Sequence, residues 1–340
     1  MAKILVTGGT GFIGSHTAVE LFNAGYEVIL LDDFSNSSSK ILTQVEKITG
    51  QKPEFVELDL CDEAKLNAFV AEHPEITGVI HFAAFKAVGE SVQQPLKYYR
   101  NNFYSLINLI NAFKGKVDLV FSSSCTVYGQ PDKLPVTEDA PVKKAESPYG
   151  NTKQIAEEIL TDTCKVTPDL NVISLRYFNP VGAHDSALIG ELPIGVPQNL
   201  VPFITQSAIG KRGPITVFGS DYNTPDGSAV RDYIHVVDLA KAHVAAIKRM
   251  EAKKAEGNYE VFNLGTGKGT SVLQIINAFE QSTGEKLNYQ IGPRRDGDVE
   301  QVWGDVTKSA EALGWRAELG INEMMSSAWK WEQFLKDNPF

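Results

Sequence analysis

The run Gly8-Gly9-Thr10-Gly11-Phe12-Ile13-Gly14 constrains the fold of this chain more than any other feature. Ile4 to Val6 before it reads as a short strand, and Phe12 to Ala24 after it reads as a helix. Gly9, Gly11 and Gly14 therefore place Gly-x-Gly-x-x-Gly spacing at a strand-to-helix junction. There the missing side chains permit a tight turn and let a pyrophosphate approach the free N–H groups of the helix end. The next strand-like run, Val28 to Leu31, ends at Asp32, eighteen residues past Gly14. A carboxylate at that point accepts hydrogen bonds from an adenosine ribose and repels a 2′-phosphate, so NAD is expected rather than NADP.

Further apolar runs at Val79 to His81, Val117 to Phe121 and Val172 to Leu175 alternate with segments of helical length such as Pro95 to Phe113. This alternation predicts an α/β, Rossmann-type, doubly wound parallel sheet with helices on both faces. Beyond Asn179 the pattern is less regular and richer in Gly and Pro, as in Gly190 to Pro197, which suits loops that cover a ligand. The expected division is a dinucleotide-binding part over 1–178 and a smaller, mixed α/β substrate-binding part over 179–340. The two are interleaved, because the patterns within 233–264 are of the kind that return to the first sheet. Glu323 to Leu335, with Trp329, Trp331 and Phe334, reads as a helix packing its aromatic side inward.

At 340 residues with 43% hydrophobic and 22% charged side chains, the chain matches folded globular proteins rather than disordered or fibrous ones. Its net charge of -10 disfavours nucleic acid and anionic membranes as partners, so an anionic ligand needs a local basic pocket. No apolar run has the ~20 residues of a membrane span, and the start lacks a secretory pattern. Cys61, Cys125 and Cys164 are too few and too widely spaced for a disulfide framework or a zinc site, which points to the reducing cytoplasm. No metal is expected, and His16, His235 and His243 read as structural.

Tyr149-Gly150-Asn151-Thr152-Lys153 follows Ser147-Pro148 and opens the helical run Gln154 to Leu160. Tyr149 and Lys153, at i and i+4, share one helix face. A free phenol titrates near ~10, too high for a base at neutral pH, and a nearby ammonium is the expected means of lowering it. Upstream, Phe121-Ser122-Ser123-Ser124 ends a strand in hydroxyls, at the edge where open α/β sheets bind ligands.

With these pieces together, the chain resembles the extended, nucleotide-sugar branch of the short-chain dehydrogenase/reductase superfamily, and within it the UDP-galactose 4-epimerase family. The resemblance also rests on the blocks His81 to Ser91, Leu175 to Ala183 and Val230 to Val236. It implies reversible hydride transfer at C4 of a UDP-hexose through a 4-keto sugar, with tightly bound NAD. Tyr149 would be the base, Lys153 would tune it and hold the nicotinamide ribose, and Ser124 would orient the shared proton. Cofactor contacts would come from the glycine loop at Gly8, Gly11, Phe12, Ile13 and Gly14, and from Asp32, Asp33, Asn36 and Ser37 around the adenosine ribose. Asp59 and Leu60 would flank the adenine. Phe82, Ala83, Ala84, Lys86, Asn101 and Phe178 would seat the remainder.

The same resemblance assigns the UDP-sugar to Lys86, Asn179, Asn199 and Leu200, to Thr216, Val217 and Phe218, and to Arg231, Arg295 and Asp298. Guanidinium forks suit a diphosphate. Val302 would line the hexose pocket where some relatives carry tyrosine, leaving room for N-acetylated UDP-hexoses. A homodimer joined through the Tyr149 helix and Pro95 to Phe113 is also implied. The rival readings are a nucleotide-sugar dehydratase or decarboxylase of the same branch and a non-catalytic dinucleotide sensor. In the dehydratases an Asp-Glu pair follows the hydroxyl residue, whereas Cys125 and Thr126 follow Ser124 here.

Overall fold

The computed structural model describes residues 2–294 and 299–340. Its first half runs β1 (Lys3–Thr7), α1 (Phe12–Asn23), β2 (Glu27–Asp32), α2 (Lys40–Thr49), β3 (Glu54–Glu57), α3 (Glu63–Glu72) and β4 (Ile76–His81). Then come α4 (Val88–Gln93), α5 (Pro95–Ala112), β5 (Asp118–Ser124), a 3₁₀ turn (Cys125–Tyr128), α6 (Pro148–Val166) and β6 (Asn171–Tyr177). The second half continues with β7 (Asn179–Val181), α7 (Leu200–Ala208), β8 (Ile215–Phe218), β9 (Val230–Arg231), β10 (Tyr233–His235), α8 (Val236–Glu251) and β11 (Tyr259–Leu264). It ends with β12 (Thr270–Ser271), α9 (Val272–Thr283), β13 (Tyr289–Gly292), β14 (Gln301–Val302), α10 (Thr307–Leu313) and α11 (Ile321–Asp337).

Among the described residues, seven parallel strands form the main sheet in the order β11-β6-β5-β4-β1-β2-β3. Their near-continuous apolar runs follow from burial on both faces. Successive side chains point to opposite sides, so Ile4, Val6, Val28, Leu30 and Ile80 join one core while Leu5, Ile29, Leu31 and Val79 join the other. The first core takes Val19 and Leu21 of α1, Val45 of α2 and Leu239 of α8. The second takes Leu66 of α3, Leu106 of α5 and Leu160 of α6. Helices thus cover both faces, as a doubly wound sheet requires. Four strands were read from the first-half runs besides β1, and β3 was missed, because its four residues are only half buried and carry Glu at both ends.

A third core gathers Val201, Ile204, Ile215, Val217, Phe279 and Trp329 from α7, β8, α9 and α11. On α11, Trp329 and Trp331 are buried and Phe334 packs against Trp331, so the aromatic side faces inward. Strand β11 pairs with β6 along its whole length, so the chain returns to the first sheet after β10 and α8. Where crossovers reverse direction, between β1 and β4, Thr7 pairs with His81, and on β5 and β6, beyond β4, Ser124 lies opposite Tyr177. The carboxyl edge of the sheet at this reversal is the place for a ligand. No helix among the described residues is long and apolar enough to cross a membrane.

Candidate active site

The glycine loop is shaped by what cannot fit there. Gly8 sits at φ +68, and a Cβ on Gly14 would stand 2.1 Å from the Gly8 carbonyl oxygen. Only bare backbone lets α1 start this close to β1. Gly11 caps α1 with no side chain, leaving the first-turn N–H groups of the helix to an anion. Asp32 is buried, and its carboxylate ties the loop to β2: Oδ2 accepts from Thr10 N at 3.1 Å, while Oδ1 accepts from Phe34 N at 3.0 Å and Ser37 Oγ at 2.9 Å. Asp33 and Asn36 are exposed beside it. This cradle fits a dinucleotide pyrophosphate with an unmodified ribose.

The remaining cofactor candidates line the same edge of the sheet. Phe82 donates its N–H to Thr7 O at 3.0 Å, and Ala83 and Ala84 follow in the half-buried segment after β4. Asp59 is exposed and accepts from Cys61 N at 2.8 Å, whereas Leu60 is buried in the second core. Asn101, half buried on α5, donates to Asn102 Oδ1 at 3.1 Å.

The catalytic candidates converge where β5 meets α6. Ser147 caps α6, its hydroxyl accepting from Gly150 N at 3.1 Å, and Pro148 fills the first helical position. Tyr149, Ser124 and Lys153 are all buried. Lys153 Nζ donates to Ser122 O at 2.7 Å and lies 4.8 Å from the Phe121 ring centroid. Burial lowers the Lys153 ammonium to about 8, with Glu157 acting against it.

The expected lowering of Tyr149 by Lys153 is not what the structure shows. Burial pushes the phenol well above its ordinary value and the Tyr177 phenol adds to this, while a hydrogen bond with Ser124 pulls it down. The i, i+4 spacing puts Lys153 on the right face, but its amine reaches for the strand carbonyl instead of the phenol. At the end of β4, His81 is kept neutral by burial, at about 3, and its Nδ1 lies 2.8 Å from Thr7 Oγ1.

Sequence reasoning passed over three carboxylates in this neighbourhood. Glu157 lies one further turn along α6, and its spacing from Lys153 was the available signal. Asp232 is fully buried and accepts from Thr266 N at 2.8 Å, Thr266 Oγ1 at 2.7 Å and Gly267 N at 3.1 Å. Its own backbone joins Val302 O at 3.1 Å and Asn179 N at 2.9 Å, so one residue ties Arg231, Asn179 and Val302 together. Glu191 receives Lys86 Nζ at 3.3 Å and Asn199 Nδ2 at 2.6 Å, bridging the segment after β4 and the start of α7.

On the substrate side, Asn199 caps α7 ahead of half-buried Leu200. Thr216, Val217 and Phe218 belong to β8, with Val217 buried and Phe218 42% exposed. Arg231 is half buried and donates to Val230 O at 2.9 Å. Val302 is buried against Val127, Tyr128, Val136 and Phe178. Arg295 and Asp298 lie outside the described residues. Among the described residues no group of His, Cys, Asp and Glu is placed to hold a metal.

Comparison with known proteins extends these similarities over the whole chain. The family model described as GDP-mannose 4,6 dehydratase matches residues 5–328. The chain is 51% identical to the UDP-glucose 4-epimerase of Haemophilus influenzae over 338 residues, covering 99% of this chain and 98% of that protein. Its structure superposes with a TM-score of 0.95 on the UDP-glucose-4-epimerase from Stenotrophomonas maltophila, solved with bound NAD and formylated UDP-arabinopyranose, at 45% identity over 99% of both chains. For the UDP-glucose 4-epimerase from Bifidobacterium longum in complex with NAD+ and UDP, the TM-score is 0.93 at 47% identity, again over 99% of both chains. The chain belongs to the epimerase and dehydratase family that the first model describes and, within it, to the UDP-glucose 4-epimerases.

Proposed function

We propose that this chain interconverts UDP-galactose and UDP-glucose by reversible hydride transfer at C4, using NAD. The observation that carries this reading is the meeting of a glycine cradle, Asp32 and the buried Ser124, Tyr149 and Lys153 at one sheet edge, in a chain about half identical to curated epimerases over its full length.

In this reading Gly8 to Gly14 hold the pyrophosphate, Asp32 selects the unmodified ribose, and Lys86, Asn101 and Phe178 seat the rest. When bound there, NAD would supply a reversible hydride acceptor for C4, so that return of the hydride to the opposite face of the sugar leaves no net oxidation. Tyr149 Oη takes the 4-hydroxyl proton and later restores it, and Ser124 Oγ passes or orients that proton. A phenol raised by burial needs help to act as a base. The Ser124 hydroxyl, whose hydrogen bond pulls the phenol down, is the chain's own group for that task, and Lys153 one turn away is left to hold the nicotinamide ribose. Arg231 with Arg295 grips the diphosphate, Asn179, Asn199, Leu200 and Asp298 complete that grip, and Thr216 to Phe218 flank the base.

Residues 1–178 with 233–264 form the NAD-binding part of this reading, and the rest of 179–340 the UDP-sugar part. The finer assignments follow the same logic. Leu96, Tyr104 and Ile107 are exposed on or at the start of α5, at 81%, 52% and 37%, which supports pairing of two copies through α5 and α6. Three free cysteines support a cytoplasmic setting. Dehydration is not favoured, since Cys125 and Thr126 stand where that chemistry uses Asp and Glu and burial raises the Cys125 thiol to about 12. The Tyr149 and Lys153 pair likewise disfavours a non-catalytic sensor.

The test is incubation of purified protein with UDP-galactose, without added cofactor, and identification of the product. UDP-glucose is expected, and acid extraction of the protein should release NAD. Unchanged UDP-galactose would reject the activity.

A further inference from the structure

Tyr149, Lys153 and Glu157 follow one another at single turns along one face of α6. Glu157 is 7% exposed, and its carboxylate is the junction of three elements. Oε1 accepts from Ser123 Oγ at 2.5 Å and from Arg176 Nε at 3.0 Å, and Oε2 accepts from Arg176 Nη2 at 2.5 Å. The guanidinium of Arg176, on β6, is held further by donation to Tyr128 Oη at 3.0 Å and Glu138 O at 3.1 Å. Such a buried ion pair is weak evidence for stability, because well-packed apolar side chains of equal volume commonly do as well or better. Its position is more informative. Ser123, which Glu157 grips, stands between Ser122, whose carbonyl receives Lys153, and Ser124.

Resting on the epimerisation reading, we propose that Glu157 is a positioning residue for the reaction. By holding Ser123 and facing Lys153 from the next turn of α6 it keeps the Lys153 ammonium seated on β5. The groups around that ammonium leave this task to Glu157. On β4, His81 is neutral, at about 3. On β6, the Tyr177 phenol is raised to about 12 and Arg176 is a cation. On α6, Tyr149 is a protonated phenol, raised by burial. β5 offers a carbonyl and the face of Phe121. Burial drives Lys153 toward the neutral amine, and Glu157 is the charge that opposes it.

The test compares the alkaline limb of the pH–rate profile for UDP-galactose epimerisation in the holoenzyme and three variants. Glu157→Gln removes the attraction, so the limb should move to lower pH by about one unit. Glu157→Gln/Arg176→Gln leaves neither charge unpaired, guards against simple misfolding, and should move the limb the same way. Arg176→Gln breaks the same ion pair but leaves the carboxylate uncompensated, so the limb should move to higher pH. All three should lower the melting temperature, and opposite limb shifts therefore separate a charge effect on Lys153 from general loosening. Limbs that coincide with wild type, or that all move in one direction, would overturn the role of Glu157 while wild-type activity leaves the epimerisation reading intact. An inactive wild-type enzyme would overturn that reading and this role with it.

Discussion

Lys153 Nζ is bonded to the Ser122 carbonyl at 2.7 Å, so the ammonium on α6 is anchored to the strand and not to Tyr149. Removal of the Tyr149 hydroxyl should therefore leave Lys153 in its seat. Tyr149→Phe is expected to retain NAD and bind UDP normally while turnover falls by about 10²–10⁴-fold, the usual worth of a positioned proton acceptor. Steady-state kinetics with calorimetric titration of UDP checks this, and unimpaired turnover would end the assignment.

The glycine cradle makes a sharper steric prediction. A Cβ at Gly14 would stand 2.1 Å from Gly8 O, a backbone atom that cannot swing aside as a side chain could. Gly14→Ala should be destabilised by about 1–3 kcal/mol and lose most of its extractable NAD. A variant purified with the wild-type amount of nucleotide would show that the loop has slack the structure does not reveal.

Four buried histidines predict acid sensitivity. Burial holds His16 and His81 neutral to about 3 and His235 and His243 to about 4. In the unfolded chain each binds a proton near ~6.5, so below that pH the unfolded state carries more protons and stability falls as pH falls. The loss amounts to roughly 2 kcal/mol per histidine between pH 7 and pH 5. It is complete only once pH drops through the folded values. Thermal melts across this range should show a steep decline, and His243→Asn should make it shallower. A flat profile from pH 7 to pH 5 would contradict the assignment of these rings as neutral.

Val302 is 6% exposed and packs against Val127, Tyr128, Val136 and Phe178. We hypothesise that the small side chain leaves room for an N-acetyl group, so UDP-N-acetylglucosamine is epimerised as well as UDP-glucose. Val302→Tyr should then suppress the acetylated substrate selectively, with overpacking costing about 1–3 kcal/mol of stability. No UDP-N-acetylgalactosamine after prolonged incubation with abundant wild-type enzyme would refute the wider specificity.

What the sequence disclosed was local. The glycine loop, Asp32 at the end of β2 and the Tyr149/Lys153 spacing all follow from short-range rules of turn, strand and helix. What it hid depends on distant chain segments meeting. Glu157 and Arg176 are nineteen positions apart on different elements, and nothing in their immediate surroundings marks them as a buried pair. Asp232 reads as one more loop carboxylate until the 264–267 turn folds over it. Strands β9, β12 and β14 have two residues each, too short for any periodicity. Even the amine of Lys153 went elsewhere than its spacing suggested, because a buried strand carbonyl competes for it.

The most direct measurement follows the C4 hydrogen itself. UDP-galactose deuterated at C4 is incubated in ordinary water with the purified protein and no added cofactor, and the product is examined by mass spectrometry and NMR. Hydride transfer to a retained NAD and back predicts UDP-glucose with the deuterium still at C4. Product that has exchanged its deuterium for solvent hydrogen, or no UDP-glucose at all, would contradict the account.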